Sequence, residues 1–96
     1  VALGLISLIS ENSHILIRNR IFHVDLHPGN VVVDENNTPY IIDFDKARFT
    51  AHSPRKTAEM VEIRWKKAIL KHNLPPEIAN LNLKARIAFP RETKQI

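Results

Sequence analysis

Two carboxylates and one amide, Asp25, Asn30 and Asp43, have the types and spacing to do chemistry together in this chain. Asn30 stands just before the β-branched run Val31-Val32-Val33, and Asp43 just after Tyr40-Ile41-Ile42. Between the runs lies a dense turn signal, Asp34-Glu35-Asn36-Asn37-Thr38. Such a pattern predicts a β-hairpin, and a hairpin sets its open ends side by side, making neighbours of Asn30 and Asp43. Asp25 precedes Asn30 on a segment that Pro28 and Gly29 bend back. Three oxygen-bearing side chains can then converge on one small volume. Carboxylate and amide oxygens are hard ligands, better suited to Mg²⁺ than to zinc. Magnesium keeps several waters and favours a few protein oxygens together with substrate phosphates. The donor types therefore point to phosphoryl transfer.

Blander readings of the same residues exist. Asp25 and Asp43 could cap turns at the hairpin's ends, although turn chemistry makes no demand for Asn30. His14, His23 and His27 could form a metal cluster, but no tight helical or strand spacing pairs them. Trp65 reads as a core residue sealing a helix against the hairpin.

The elements that must position these groups follow from periodicity. Leu5, Leu8, Ile9, Asn12 and Leu16 recur near helical spacing, which predicts a largely buried helix over residues 3–18, stopped at Asn19-Arg20. Ile21-Phe22 is a short apolar step into the irregular segment 23–30. Ser53-Pro54 has the form of an N-cap followed by proline at the first helical position. From there Ala58, Val61, Trp65, Ala68, Ile69 and His72 share one face, with Arg64, Lys66, Lys67 and Lys71 mostly off it. This helix is expected to end by Asn73, ahead of Pro75 and Pro76. A last helix is expected over residues 76–87, with Ile78 and Leu81 inward and Pro90 closing it. The order is helix, loop, hairpin, helix, helix: an α+β arrangement, mainly helical.

With 96 residues there is room for one domain, only marginally stable alone. A hydrophobic fraction of 44% argues against disorder. The two glycines, Gly4 and Gly29, leave no Gly-rich phosphate loop in these residues. Cysteine is absent, which excludes disulfides and thiolate zinc sites. The apolar run over residues 5–9 is too short to span a bilayer, and no basic leader of a secretory signal precedes it. A formal charge of +4, with the basic residues concentrated after Lys46, suits phosphates, acidic sugars or an anionic membrane surface; no nucleic acid is expected as a partner. Because the chain opens at Val1, within a helical pattern, it reads as part of a longer protein.

The run His23-Val24-Asp25-Leu26-His27-Pro28-Gly29-Asn30 resembles the kinase catalytic loop H-x-D-x-x-x-x-N, and Ile42-Asp43-Phe44 resembles the metal-binding D-F-G triplet. The resemblance spans roughly residues 5–72 and implies the C-terminal lobe of a protein-kinase-like fold, a partial domain (1–96) whose N-terminal lobe is not included. It implies ATP and Mg²⁺ as cofactors, Asp25 as catalytic base, and Asn30 and Asp43 as ligands of the metal. His23 would be a scaffold residue bonding the backbone around the metal aspartate. Asp45 and Lys46 are further candidates: a metal ligand or a turn residue in the first case, a contact to an acidic acceptor or a solvated lysine in the second.

The sequence departs from eukaryotic protein kinases. Asp45 replaces the glycine of the triplet, no A-P-E triplet follows, and little room separates Phe49 from the helix that starts at Ser53-Pro54. With Ile42-Asp43-Phe44-Asp45-Lys46 followed closely by Arg64-Trp65-Lys66-Lys67, the chain resembles the lipopolysaccharide kinase family, particularly 3-deoxy-D-manno-octulosonic acid kinases. That similarity implies a sugar hydroxyl of the lipopolysaccharide inner core or a lipid A precursor as acceptor. It also implies a cytoplasmic location, peripheral at the inner membrane, with the basic helix near the lipid. An atypical serine/threonine kinase, an aminoglycoside-phosphotransferase-like small-molecule kinase and a pseudokinase-like binding module are the alternatives. A complete kinase also needs a Gly-rich cover, a strand lysine and a helix glutamate, so these 96 residues alone are expected to be inactive.

Overall fold

The computed structural model describes residues 3–88. Helix α1 (Leu3–Arg18) leads through Arg20, left-handed at φ 62°, into strand β1 (Ile21–Phe22). A 3-10 turn (Pro28–Asn30) ends the following loop and delivers the chain to β2 (Val31–Val33). Strand β3 (Pro39–Ile41) returns antiparallel to β2 with Val32 opposite Tyr40. Strand β4 (Arg48–Phe49) then pairs back onto β1, with Ile21 opposite Phe49 and Phe22 opposite Arg48. Helix α2 (Pro54–Lys71), a 3-10 turn (Pro76–Ile78) and helix α3 (Leu83–Ala88) complete the described chain.

The hairpin forms where the turn signal stands. Asp34 accepts hydrogen bonds from the amides of Asn36 and Thr38, both at 2.9 Å, and Asn37 takes the left-handed conformation at φ 61°. Its second strand sits one residue earlier than Tyr40-Ile41-Ile42 suggests. Pro39 occupies the first strand position, where a missing N–H is tolerated. Ile42 leaves the strand because Asp43 turns out of extended backbone at φ 63°. The β1·β4 pair is absent from the sequence reading, since two-residue strands carry no readable alternation.

The core joins Ile9 and Ile17 of α1, Phe22, Leu26, and the Ala58, Val61, Trp65 and Ile69 face of α2. Ser53 caps α2, its hydroxyl accepting from the Lys56 amide at 3.1 Å. His72, expected on the inward face, is exposed and caps the helix's end. In α1 the buried stripe is Ile6, Ile9, Ser10, Ser13, His14 and Ile17, whereas Leu8 is exposed. The helix is rotated from the face that leucines alone mark, because its serines pair internally: Ser10 donates to the Leu81 carbonyl and accepts from Arg86 Nε at 2.7 Å.

The expected last helix over 76–87 is broken into a 3-10 turn and the shorter α3. Trp65 Nε1 donates to the Ile78 carbonyl at 2.7 Å, and the Asn80 side chain accepts from the Asn82 amide at 2.9 Å. These bonds engage backbone groups that a continuous helix would use, and Asn82 turns left-handed at φ 57°. Ile78 and Leu81 are nevertheless buried. Pro90 lies outside the described residues.

Candidate active site

Two loops carry the chemistry-bearing residues, and the topology lays them side by side. One runs from β1 to β2 over residues 23–30; the other runs from β3 to β4 over residues 42–47. Since β1 pairs with β4 and β2 with β3, the loops connect the same two sheets in opposite directions. Ile42 N–H donates to the Asn30 carbonyl at 2.9 Å, which ties the end of the first loop to the start of the second. Thr50 N–H donates to the Arg20 carbonyl at 2.9 Å and closes the far side.

His23 stands between the loops, 2% exposed. Its Nε2 lies 2.8 Å from the Ile42 carbonyl, and its Nδ1 accepts from the Asp25 amide at 3.2 Å. A carbonyl can only accept and an amide N–H can only donate, so these partners assign the neutral ring with its proton on Nε2. The ring also meets Phe44 edge-on, with centroids 4.7 Å apart. One buried imidazole thereby fixes the backbone immediately before Asp43 and the backbone of Asp25 itself.

The intervening Val24 has φ 77°. A β-branched residue in that region is an outlier, and such strain costs about 1–3 kcal/mol. Asp43, at φ 63°, is a residue type that visits this region more readily. Both left-handed positions flank the bonds made by His23.

Asn30 is buried, and its Nδ2 donates to the Asp25 carbonyl at 2.8 Å. With its nitrogen engaged, the amide offers its oxygen as the donor suited to a hard cation. Asp25 is 45% exposed. Asp43 is exposed at the loop edge, and Asp45 and Lys46 are the exposed central residues of a turn closed by Ala47 N–H to the Phe44 carbonyl at 3.0 Å. Among the described residues no three His, Asp or Glu side chains gather as a metal cage. One amide oxygen and one carboxylate are still a fitting set for Mg²⁺, which takes one or two carboxylates and completes its shell with water and phosphate.

His27 was weighed in the sequence only for a metal cluster, and the structure gives it a different place. Its Nδ1 accepts from Gly29 N–H at 3.0 Å, and its Nε2 lies 3.3 Å from Asn30 Nδ2 and 3.8 Å from Asp25 Oδ1. Gly29 is needed for this approach: a Cβ there would lie 2.8 Å from His27 Cε1.

Beside Asp25 opens a cleft of about 320 Å³ between the first loop and α2, walled on the helix side by Arg64, Lys67, Lys71 and His72. Arg64 also stacks over the Phe22 ring at 5.7 Å, and Arg48 lies over the same ring at 5.5 Å. The basic run was legible in the sequence; its position against Asp25 was not.

Residues 12–51 match the phosphotransferase enzyme family, APH. The match supports a protein-kinase-like phosphotransferase. It takes in Asp25, Asn30 and Asp43 together with the two loops and four strands that carry them. The three helices and two small sheets of the described residues are compatible with part of such a fold. No curated protein and no solved structure matches the chain. No helix among the described residues is long and apolar enough to cross a membrane.

Proposed function

We propose that this chain is the catalytic-loop-bearing, C-terminal-lobe portion of an ATP-dependent kinase, and that its acceptor is a sugar hydroxyl of the 3-deoxy-D-manno-octulosonic acid kind. The observation that carries the reading is the pairing of the two loops through His23, which sets Asp25, Asn30 and Asp43 on adjoining backbone. Asp25 accepts the proton of the acceptor hydroxyl as its oxygen forms a bond to the terminal phosphorus of ATP; the bond from that phosphorus to the bridging oxygen breaks and ADP leaves. Asn30 Oδ1 and the Asp43 carboxylate would hold Mg²⁺, which would neutralise phosphate charge. The rest of the nucleotide site, a Gly-rich cover and a phosphate-binding lysine, belongs to a preceding lobe. A lipid-linked acceptor would bring the protein to the cytoplasmic face of a membrane.

The test is ATP consumption by the full-length protein with Mg²⁺ and a lipid A precursor carrying one 3-deoxy-D-manno-octulosonic acid, beside the Asp25→Asn protein. Transfer that disappears in the variant, with nucleotide binding retained, is the expected result. Equal turnover by both proteins would refute Asp25 as the base. The match to the phosphotransferase enzyme family favours a second reading, a kinase of another small molecule. That reading predicts Asp25-dependent transfer to a soluble acceptor and none to the lipid precursor.

A further inference from the structure

The cleft beside Asp25 has a charge that the catalytic step does not require. Arg64, Lys67 and Lys71 line it from α2, and their positions, with those of Ala68 and His72, follow the i, i+3, i+4, i+7, i+8 spacing of a single helix face. The adjoining face of the same helix, Val61, Trp65 and Ile69, is locked in the core, so the cationic row cannot turn away from the loop opposite. The anionic group lining the cleft is the Asp25 carboxylate, set against three permanent cations. Arg64 is held further by its stack on the buried Phe22 ring at 5.7 Å, which makes it a fixed rather than a wandering charge.

A cleft of about 320 Å³ is at the small end of ligand sites and admits a sugar-sized molecule. A molecule seated there has one end at the base and the other at the cations. Resting on the phosphotransferase reading, we infer that this cleft is the acceptor site, and that Arg64, Lys67 and Lys71 select an acceptor bearing a carboxylate or phosphate, orienting its hydroxyl toward Asp25. Lys66 is on the same helix, but it does not line the cleft.

The experiment is a titration of isotope-labelled full-length protein, followed at the amides of residues 24–27 and 64–72. Two matched pairs are the probes: 3-deoxy-D-manno-octulosonic acid against its methyl ester, and glucose 1-phosphate against glucose. The expected result is that the charged member of at least one pair shifts the cleft amides while its neutral partner does so at least about tenfold more weakly. The pair that responds identifies carboxylate or phosphate as the recognised group. Lys67→Gln with Lys71→Gln should weaken the charged probe roughly tenfold, as expected for two partly exposed charge-assisted contacts, and Lys66→Gln should not. Equal shifts from charged and neutral members, no shift from any probe, or undiminished binding in the double variant would overturn the inference. Asp25-dependent ATP consumption is measured on the same preparation. If it is absent while charged probes still bind, the phosphotransferase reading falls and takes the acceptor role with it. If it is present while the charge preference is not, the inference alone fails.

Discussion

Replacing His23 with Phe tests whether the two loops are held by one ring. The substitution keeps the aromatic volume and the edge contact with Phe44, but removes the bonds to the Ile42 carbonyl at 2.8 Å and the Asp25 amide at 3.2 Å. Each such bond contributes about 1 kcal/mol net, and each group left without a partner costs about 1–3 kcal/mol if water cannot reach it. Ile42 and Asp25 are both partly accessible, so the lower part of that range applies and the total is about 2–4 kcal/mol. Against this stands the left-handed strain at Val24, φ 77°, of about 1–3 kcal/mol. The two quantities are comparable, so loss of the ring should let Val24 relax to extended backbone and carry Asp25 away from its position. The assay is amide hydrogen exchange on the full-length protein. The Asp25 amide should exchange about 10–100-fold faster, while Ile42, whose own N–H is bonded to the Asn30 carbonyl, should retain its protection. In turnover, kcat should fall far more than the KM for ATP changes. His23→Gln, which keeps an amide donor for Ile42, should recover part of it. Unchanged exchange at Asp25 in the Phe variant would show that the loop is held by something other than His23 and refute the reasoning.

Other expectations follow from single contacts. Gly29→Ala brings a Cβ to 2.8 Å from His27 Cε1; the ring must swing, and Asp25-dependent turnover should drop about 3–10-fold, about 1 kcal/mol in barrier terms, with little change in thermal midpoint. The Thr38 amide foremost holds the Asp34 carboxyl below its ordinary 3.8; desolvation, the next largest effect, opposes it, and the Asn36 amide and Tyr40 hydroxyl add smaller lowering contributions. A depressed acid stabilises the fold above its unfolded value and loses that contribution as pH falls through the folded one. Amides of the 34–38 turn should therefore lose protection below about pH 3.8, and Asp34→Asn should flatten that dependence; a turn equally pH-sensitive in the variant would refute the assignment. Trp65→Phe removes the bond to the Ile78 carbonyl at 2.7 Å and leaves that buried acceptor unpaired. A loss of about 2–3 kcal/mol is expected by denaturant titration, and a loss below about 0.5 kcal/mol would show that water satisfies the carbonyl instead.

The readable parts of this fold are those where local chemistry agrees with tertiary need. Ser53-Pro54 caps α2, and the Asp34 turn closes the hairpin, because each is satisfied by bonds within a few residues. The parts that were not readable depend on distant partners. Ser10 and Ser13 look like surface residues, yet they are buried, and Ser10 is met by Leu81 and Arg86 from the far end of the described chain. The broken last helix depends on Trp65 reaching the Ile78 carbonyl, which no periodicity over residues 76–87 reveals. At the site, the positions of Asp25, Asn30 and Asp43 around a hairpin could be argued from spacing. The left-handed Val24 and the place of His27 beside Asp25 could not, since both arise from the packing of one loop on another.

The matched stretch divides the molecule along a physical line. It ends at Ala51, short of the Ser53 cap, so it contains both loops and both two-stranded sheets but none of α2. Holding a base and two metal ligands on adjoining backbone requires the paired loops, and their geometry is set by main-chain bonds that tolerate few alternatives. Choosing an acceptor requires only side chains on a surface that faces the base, and α2 offers such a surface in the row Arg64, Lys67 and Lys71. On the function proposed above, phosphoryl-transfer chemistry and acceptor choice are carried by separate elements in contact, α2 resting against the 3-10 turn that presents Asn30. A substitution in the cationic row should consequently change which acceptor is used before it changes whether phosphate is transferred. One at His23 should do the reverse.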